Sequence, residues 1–492
     1  MMQKVLGAPR TPSFRPRLLL AWLLALTFYR IWLVPHLGIT LYVDEAQYWT
    51  WAQQLDWGYY SKPPVIAWLI AASTALFGDG VVAVKLAGML LYPACAWLSF
   101  VLGKELYDER IALRCALTVS LLPFVSALGL FVSTDAPLLF FWLLGMIALR
   151  RALVYDRWSD WLLLAAALGL GVLSKYTMLA FAACAALYLL LDAGRRRQLG
   201  NPRLWVAIGA AALIVMPNII WNWQHDFPTL HHTADITHVE GGNSKHGNAG
   251  EFLLAQAASL GPLLALAYLA GLALIWRKRR DTRLQLLHCF SLPLFGIVLL
   301  QALRSEANGN WAAPALIPAA MLGVAWLSRL RARWWLAAIG LNAVLMLAVY
   351  HVGDVYRLRG LAMPAKFDIL KRARGWDSLA RQLRPLLVQY PDAIILANNR
   401  TLIAHMSYEL RDLNLRFAAW KPQERAQDHY QLSIPLDNED MGRSAVLLTQ
   451  TDAASIAEHF ATQEKIARIS VQGPTVRREL DVLLLQGFRG YR

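Results

Sequence analysis

Residues 41–64 read LYVDEAQYWTWAQQLDWGYYSKPP. They follow the first long apolar run of the chain and stop immediately before the next one. Within them lie paired carboxylates (Asp44, Glu45), three tryptophans (Trp49, Trp51, Trp57), two tyrosines (Tyr59, Tyr60) and a lysine ahead of two prolines (Lys62, Pro63, Pro64). Acid, base and aromatic surface therefore meet where lipid gives way to water, and the stretch reads as the holder of the reacting groups of a membrane enzyme.

Composition supports that setting. Of 492 residues, 57% are hydrophobic and only 16% are charged, with a mean hydropathy of +0.38. Soluble domains carry about 25% charged residues. Apolar runs recur at 18–37, 81–103, 111–131, 136–151, 159–174, 177–193, 203–221, 252–276, 284–303, 311–328 and 334–352. Each approaches the roughly 20 residues that a helix needs to cross the hydrocarbon. The expected fold is thus a polytopic α-helical membrane domain, 1–352, with about 11 transmembrane helices. The outer loop 38–80 carries an interfacial helix near 45–55, and a second long outer loop spans 222–251. The N-terminus is basic, with no small-x-small cleavage site before Asp44, so the first run reads as an uncleaved anchor.

The net charge of +15 would suggest nucleic acid in a soluble protein. Its location argues against that partner. The loops 1–17, 104–114, 150–157, 195–203, 277–283 and 329–333 hold 22 basic residues, whereas the alternate loops hold four: Lys62, Lys175, Lys245 and Arg304. By the positive-inside rule the first set faces the cytoplasm. An odd number of spans then puts the tail, 353–492, on the far side. A re-entrant or broken helix at 159–193, hinged at Ser174–Lys175–Tyr176, would reverse the tail. Every polar feature of interest lies on the basic-poor side.

The tail reads as a separate α/β domain. Strands are expected at 393–398, 444–450, 466–472 and 480–487, with helices near 376–389, 401–411 and 453–462. No metal cluster or nucleophile motif stands out there. Cys95, Cys115, Cys184 and Cys289 fall in apolar runs without CxxC spacing and read as small buried side chains.

Several polar residues carry two readings each. Asp44 either caps the interfacial helix or works in a site, since ionisable groups at a membrane mouth are costly. Lys62 is held extended by the following prolines; it can present a point charge to phosphate or snorkel to the interface. Asp135, in Ser133–Thr134–Asp135–Ala136–Pro137, can cap the next helix or support a site. Lys175 and Arg304 are isolated cations on the basic-poor side, as anion ligands or as interfacial anchors. Arg30, inside the first span, is a further possible phosphate ligand. The 221–251 loop contains His225, Asp226, His231, His232, His238 and His246 at spacings that match no standard zinc site. A loop that covers substrate suits it better, with His225 and Asp226 as its polar contacts.

In their order, Asp44–Glu45, Lys62–Pro63–Pro64, Ser133–Thr134–Asp135, Ser174–Lys175 and Asn310–Trp311–Ala312–Ala313–Pro314 resemble the bacterial lipid-linked-sugar glycosyltransferases of family 39/83 with the GT-C fold. That family includes the lipid A aminoarabinose transferases and, more distantly, the protein O-mannosyltransferases. The resemblance covers about 18–352 and implies a multi-pass enzyme of the bacterial inner membrane whose active site and tail face the periplasm. It implies a polyprenyl-phosphate-linked sugar donor and a glycolipid acceptor such as lipid A, or alternatively a protein. Carried over, Asp44 is the base, with Glu45 and Asp135 as supporting carboxylates. Lys62, Lys175 and Arg304 bind phosphate, and Trp49, Tyr59, Tyr60, His225, Asp226, Glu306 and Asn310 contact substrate. A monophosphate leaving group can be neutralised by Lys and Arg, so no metal is obligatory, and a divalent ion is at most an optional partner. A transporter or flippase for a lipid-linked sugar is the reading from another class, but no internal repeat supports it.

Overall fold

The computed structural model describes residues 14–237, 247–273 and 281–491. All eleven apolar segments are helical within those residues, but they do not make eleven uniform spans. Seven helices are long and apolar enough to cross a membrane among the described residues: Pro16–His36, Val81–Leu106, Asp135–Tyr155, Pro202–Gln224, Thr282–Arg304, Gly309–Leu327 and Ala332–Leu358. Two bent pairs raise the number to nine at most. Tyr176–Leu190 turns by 120° into Ala193–Gly200, and Ala249–Leu260 turns by 105° into Pro262–Leu272.

The remaining two expected spans fail for local reasons. Trp158–Val172 has 15 residues, or about 22 Å of helix at 1.5 Å per residue, short of the roughly 30 Å hydrocarbon core. The 111–131 segment divides into Glu109–Ser120 and Pro123–Leu128, because Pro123 cannot continue the preceding hydrogen-bond ladder. The bend at 261 has a similar cause: Gly261 sits at φ 88°, and Pro262 starts the next helix.

Gly309–Leu327 is the most enclosed of the crossing helices and packs against Pro262–Leu272 and Glu109–Ser120. Ala312, Ala313, Ala315, Ala319, Ala320 and Gly323 let neighbouring backbones approach it closely.

The expected boundary at 352/353 falls inside the helix Ala332–Leu358. The tail's own layer begins at the helix Trp376–Leu387. Its sheet has the strands β1 Ile394–Ala397, β2 Phe417–Ala419, β3 Ala445–Thr449, β4 Phe460–Gln472 and β5 Arg477–Phe488, in the order β2-β1-β3-β5-β4. β1 runs parallel to β2 and β3, while β5 runs antiparallel to both β3 and β4. The short strand β2 had no sequence counterpart. The helix expected at 453–462 shrinks to Ala454–Ala457, and β4 takes over from Phe460.

The tail is bound to the membrane part by a shared apolar core. Trp49, Trp51 and Tyr59 of the first outer loop are buried in one cluster with Leu402, Met406, Tyr408 and Tyr430 of the tail. The helix Arg400–Glu409 lies along the interfacial helix Val43–Gln53.

Candidate active site

The interfacial helix starts at Val43, with Tyr42 as its cap residue, so Asp44 lies in its first turn and is not the cap. Glu45 does the capping instead: its Oε2 accepts from Tyr42 N at 2.7 Å. The same oxygen is ion-paired with Lys85, and Oε1 accepts from Val132 N at 2.7 Å. Glu45 is 1% exposed and Lys85 0%. Both oxygens are thus committed, and Glu45 ties the first outer helix to the loop that carries Ser133–Asp135. Its support is structural.

One position away, Asp44 points elsewhere. Its side chain is 44% exposed and ion-paired with Arg400, which comes from the tail. Lys62 is partly buried in its turn, where Tyr59 N donates to Lys62 O at 3.1 Å. Its ammonium is pushed down to about 8, first by burial and next by the charge of Lys175, and it also feels Asp44, Asp135 and Arg400. Just after the prolines, Val65 N donates to Leu173 O at 3.1 Å, which anchors the Lys62 segment to the turn carrying Ser174–Lys175.

Lys175 Nζ donates to Asp135 Oδ1 at 2.7 Å, and Asn310 Nδ2 donates to Asp135 Oδ2 at 2.9 Å. Asp135 is 4% exposed, starts its helix without capping it, and joins three segments remote in sequence. The resulting cluster is Asp44, Lys62, Asp135, Lys175, Asn310 and Arg400. It lies where the ends of the helices meet the tail. Of its two carboxylates, only Asp44 is open enough to meet an incoming hydroxyl.

Around this cluster stands a polar scaffold. Trp221 Nε1 donates to Asp56 Oδ2 at 2.6 Å, and Asn218 Nδ2 donates to Trp57 O at 2.6 Å. Tyr176 Oη donates to Asn218 Oδ1 at 2.8 Å. Gly58 is needed here, since a Cβ on it would collide with the Trp221 ring. A cavity of about 290 Å³ between the first loop, the end of the helix Pro202–Gln224 and the tail is lined among others by Thr50, Tyr59, Trp221, His225 and Tyr430, and by none of the six cluster residues.

Several expected contacts are placed otherwise. Trp49 is buried, donating Nε1 to Asp79 Oδ1 at 2.7 Å and meeting Tyr408 edge-on. Tyr59 stacks on Trp51 with ring centroids 4.6 Å apart, and its hydroxyl bonds to backbone carbonyls. Both are packed into the contact between the first loop and the tail. Tyr60 lies edge-on to His232. His225 stacks on Trp221, with its Nδ1 2.8 Å from the Trp221 carbonyl oxygen, and Asp226 is exposed at φ 56°. Arg304 is exposed at the end of the helix Leu292–Arg304, and Glu306 is exposed just beyond it. Arg30 is enclosed in the first span and donates Nε to Tyr350 Oη at 2.9 Å. Lys245, His238 and His246 lie outside the described residues. Among the described residues no three His, Cys, Asp or Glu side chains group closely enough to hold a metal ion.

Three residues at or beside the site escaped the sequence reading. Lys85 had a signal, as a lone charge well inside an apolar run. His232 was one histidine among several; burial, together with Lys62 and Arg400, pushes it down to about 4, so it is neutral at ordinary pH. Arg400 carried no local signal.

With this geometry in hand, likeness to known proteins becomes informative. The model of a family described as dolichyl-phosphate-mannose-protein mannosyltransferase matches residues 61–221. The lipid A galacturonosyltransferase RgtD of Rhizobium johnstonii is 32% identical over 445 residues, covering 89% of this chain and 92% of that one. The undecaprenyl phosphate-alpha-4-amino-4-deoxy-L-arabinose arabinosyl transferase of Pseudomonas aeruginosa is 27% identical over 350 residues, 63% of this chain and 60% of that enzyme. Among solved structures, apo ArnT from Cupriavidus metallidurans superposes with a TM-score of 0.66 at 16% identity, covering 95% of this chain and 97% of its own. The same protein bound to undecaprenyl phosphate gives 0.65 at 15% identity, over 96% and 98%.

Proposed function

Because this chain belongs to the GT-C family of membrane glycosyltransferases, shared with the galacturonosyltransferase along nearly the whole of both sequences, we propose that it moves a sugar from a polyprenyl phosphate onto lipid A or a neighbouring envelope glycolipid. The chain is a glycosyltransferase, so the transporter reading falls. In the proposed orientation the cluster and the tail face the periplasm of a bacterial inner membrane.

The sugar we propose is a uronic acid. The galacturonosyltransferase is the more similar of the two enzymes by identity and by the length matched. A cationic aminosugar would meet Lys62, Lys175 and Arg400, whereas an acidic one would be drawn to them.

Asp44 is the proposed base. Its carboxylate accepts the proton of the acceptor hydroxyl as that oxygen attacks the anomeric carbon from the face opposite the phosphate. The bond between the anomeric carbon and the phosphate oxygen breaks, configuration inverts, and polyprenyl phosphate leaves. Lys62 and Lys175 hold the growing charge on that phosphate, and Asp135 with Asn310 fixes Lys175 against it.

The observation that supports this reading is the neighbourhood of half-exposed Asp44 and the cations Lys62 and Lys175 where the helices meet the tail. The test is reconstitution with polyprenyl phosphate galacturonate and lipid A. One free polyprenyl phosphate should appear for each hexuronosyl unit gained by the lipid. Release without gain by the lipid would refute the acceptor, and neither event would refute the transfer.

A further inference from the structure

Arg400 enters the cluster from the tail, which the proposed orientation puts on the water side, whereas Lys62 and Lys175 belong to the turns of the membrane part. A lipid-linked sugar is amphipathic: the prenyl chain stays in lipid, the phosphate sits at the rim, and the sugar projects outward. Its phosphate therefore meets the two lysines first, and its sugar reaches the level of the tail. The guanidinium that meets it there is Arg400, 33% exposed.

Arg400 is also the group that occupies the proposed base. Its pairing engages Asp44 Oδ1, so a cation stands beside the carboxylate that accepts the proton until Arg400 takes another partner. The guanidinium fork matches a carboxylate in shape and charge. A carboxylate on the donor sugar offers it a replacement partner of the same kind. A neutral sugar offers none.

We propose that Arg400 reads the carboxylate of the donor sugar, and that its exchange from Asp44 to that carboxylate frees the base. This rests on the uronic-acid reading above. The tail is thereby part of the donor site. Its position is fixed nearby by Thr50 Oγ1, 3.2 Å from Tyr430 Oη, and by Arg425, 3.2 Å from Asp235 on the helix Pro228–Thr237.

The experiment compares polyprenyl phosphate galacturonate with polyprenyl phosphate galactose, using full-length wild type, Arg400→Gln and Arg400→Lys in nanodiscs. Transfer is measured as kcat and KM, and binding of each donor is measured separately. Wild type should prefer the uronate. In Arg400→Gln, the ratio of kcat/KM values for uronate over galactose should fall about 10- to 100-fold, the scale of a lost charge-assisted hydrogen bond. Meanwhile kcat for the galactose donor should rise, because Asp44 is no longer covered. Arg400→Lys should keep part of the preference.

Equal losses for both donors would mean that Arg400 only docks the tail, and no change for either would mean that it does nothing here; each result overturns the proposal. If wild type transfers neither donor, the proposed function fails while binding still decides this inference. A uronate preference in binding that Arg400→Gln abolishes upholds the recognition by Arg400 and overturns its role in freeing a base, and equal binding of both donors by wild type overturns the whole.

Discussion

Lys175 Nζ lies 2.7 Å from Asp135 Oδ1, and that contact joins two turns forty residues apart at the outer end of the helices. With Asn310 on its second oxygen, each Asp135 oxygen holds a protein partner, and only 4% of its side chain is exposed. The role we propose for it is positioning. Asp135→Asn leaves Lys175 without its counter-charge and free to swing. We expect a donor KM raised by about tenfold, the scale of a positional loss near 1.4 kcal/mol, and a smaller fall in kcat. Steady-state kinetics with varied donor tests this, and a fall confined to kcat would place Asp135 in the proton transfer instead.

Asp44→Asn keeps the side-chain shape but cannot take a proton. General-base catalysis contributes about 10²- to 10⁴-fold, so kcat should fall within that range while donor binding stays within a few-fold of wild type. The ion pair with Arg400 is half-exposed and contributes little to stability, so the variant should melt close to wild type. A variant that turns over normally would move the base to another group.

Lys62 sets an alkaline limit. Burial and the Lys175 charge hold its ammonium near 8 instead of the ordinary 10.5. Below about 8 it is charged and binds the donor phosphate; as pH rises through 8 that charge is lost. Donor KM should therefore climb above pH 8, approaching ~10-fold per unit. Folding stability moves the other way. The unfolded chain retains the Lys62 proton up to its ordinary range, so between about 8 and 10.5 this residue makes the fold more stable as pH rises. In Lys62→Gln the donor KM should be high and lose its alkaline limb. His232, held near 4, adds no limb between pH 5 and 8.

Much of this was legible because membrane helices announce themselves by length and hydropathy, and because polar residues isolated between them are few. Asp44, Lys62, Asp135 and Lys175 stood out on those grounds, Asn310 entered through the family resemblance, and Asp135 joins Lys175 to Asn310 in the structure. Arg400 was hidden because its meaning depends on docking: it is one of many arginines in a polar tail, and its partner lies 356 residues earlier. The same docking misdirected the reading of Trp49 and Tyr59. Aromatics at a membrane interface look like stacking platforms until another domain covers them. The helix breaks at Leu121–Leu122–Pro123 and Gly261–Pro262 were hidden because the composition around them is uniformly apolar.

The Glu45–Lys85 pair offers the clearest separation of stability from chemistry. Both groups are fully enclosed, and Glu45 also accepts from Tyr42 N and Val132 N. Losing one member leaves the other buried and uncompensated, which costs about 3–5 kcal/mol in well-studied cases. Lys85→Met should therefore lower the melting temperature in detergent sharply, as should Glu45→Gln. The double substitution removes both charges, and an amide oxygen in place of the Glu45 carboxylate can still accept a backbone hydrogen bond. The pair of changes should thus recover much of the loss instead of adding the two. Catalysis should not recover in parallel. The Val132 contact orients the loop that carries Asp135, and Gly88 already packs so tightly there that a Cβ would collide with the Phe131 carbonyl oxygen. A double variant that is stable but slow would show Glu45 acting through the placement of that loop, whereas additive destabilisation would show that the two charges do not compensate each other.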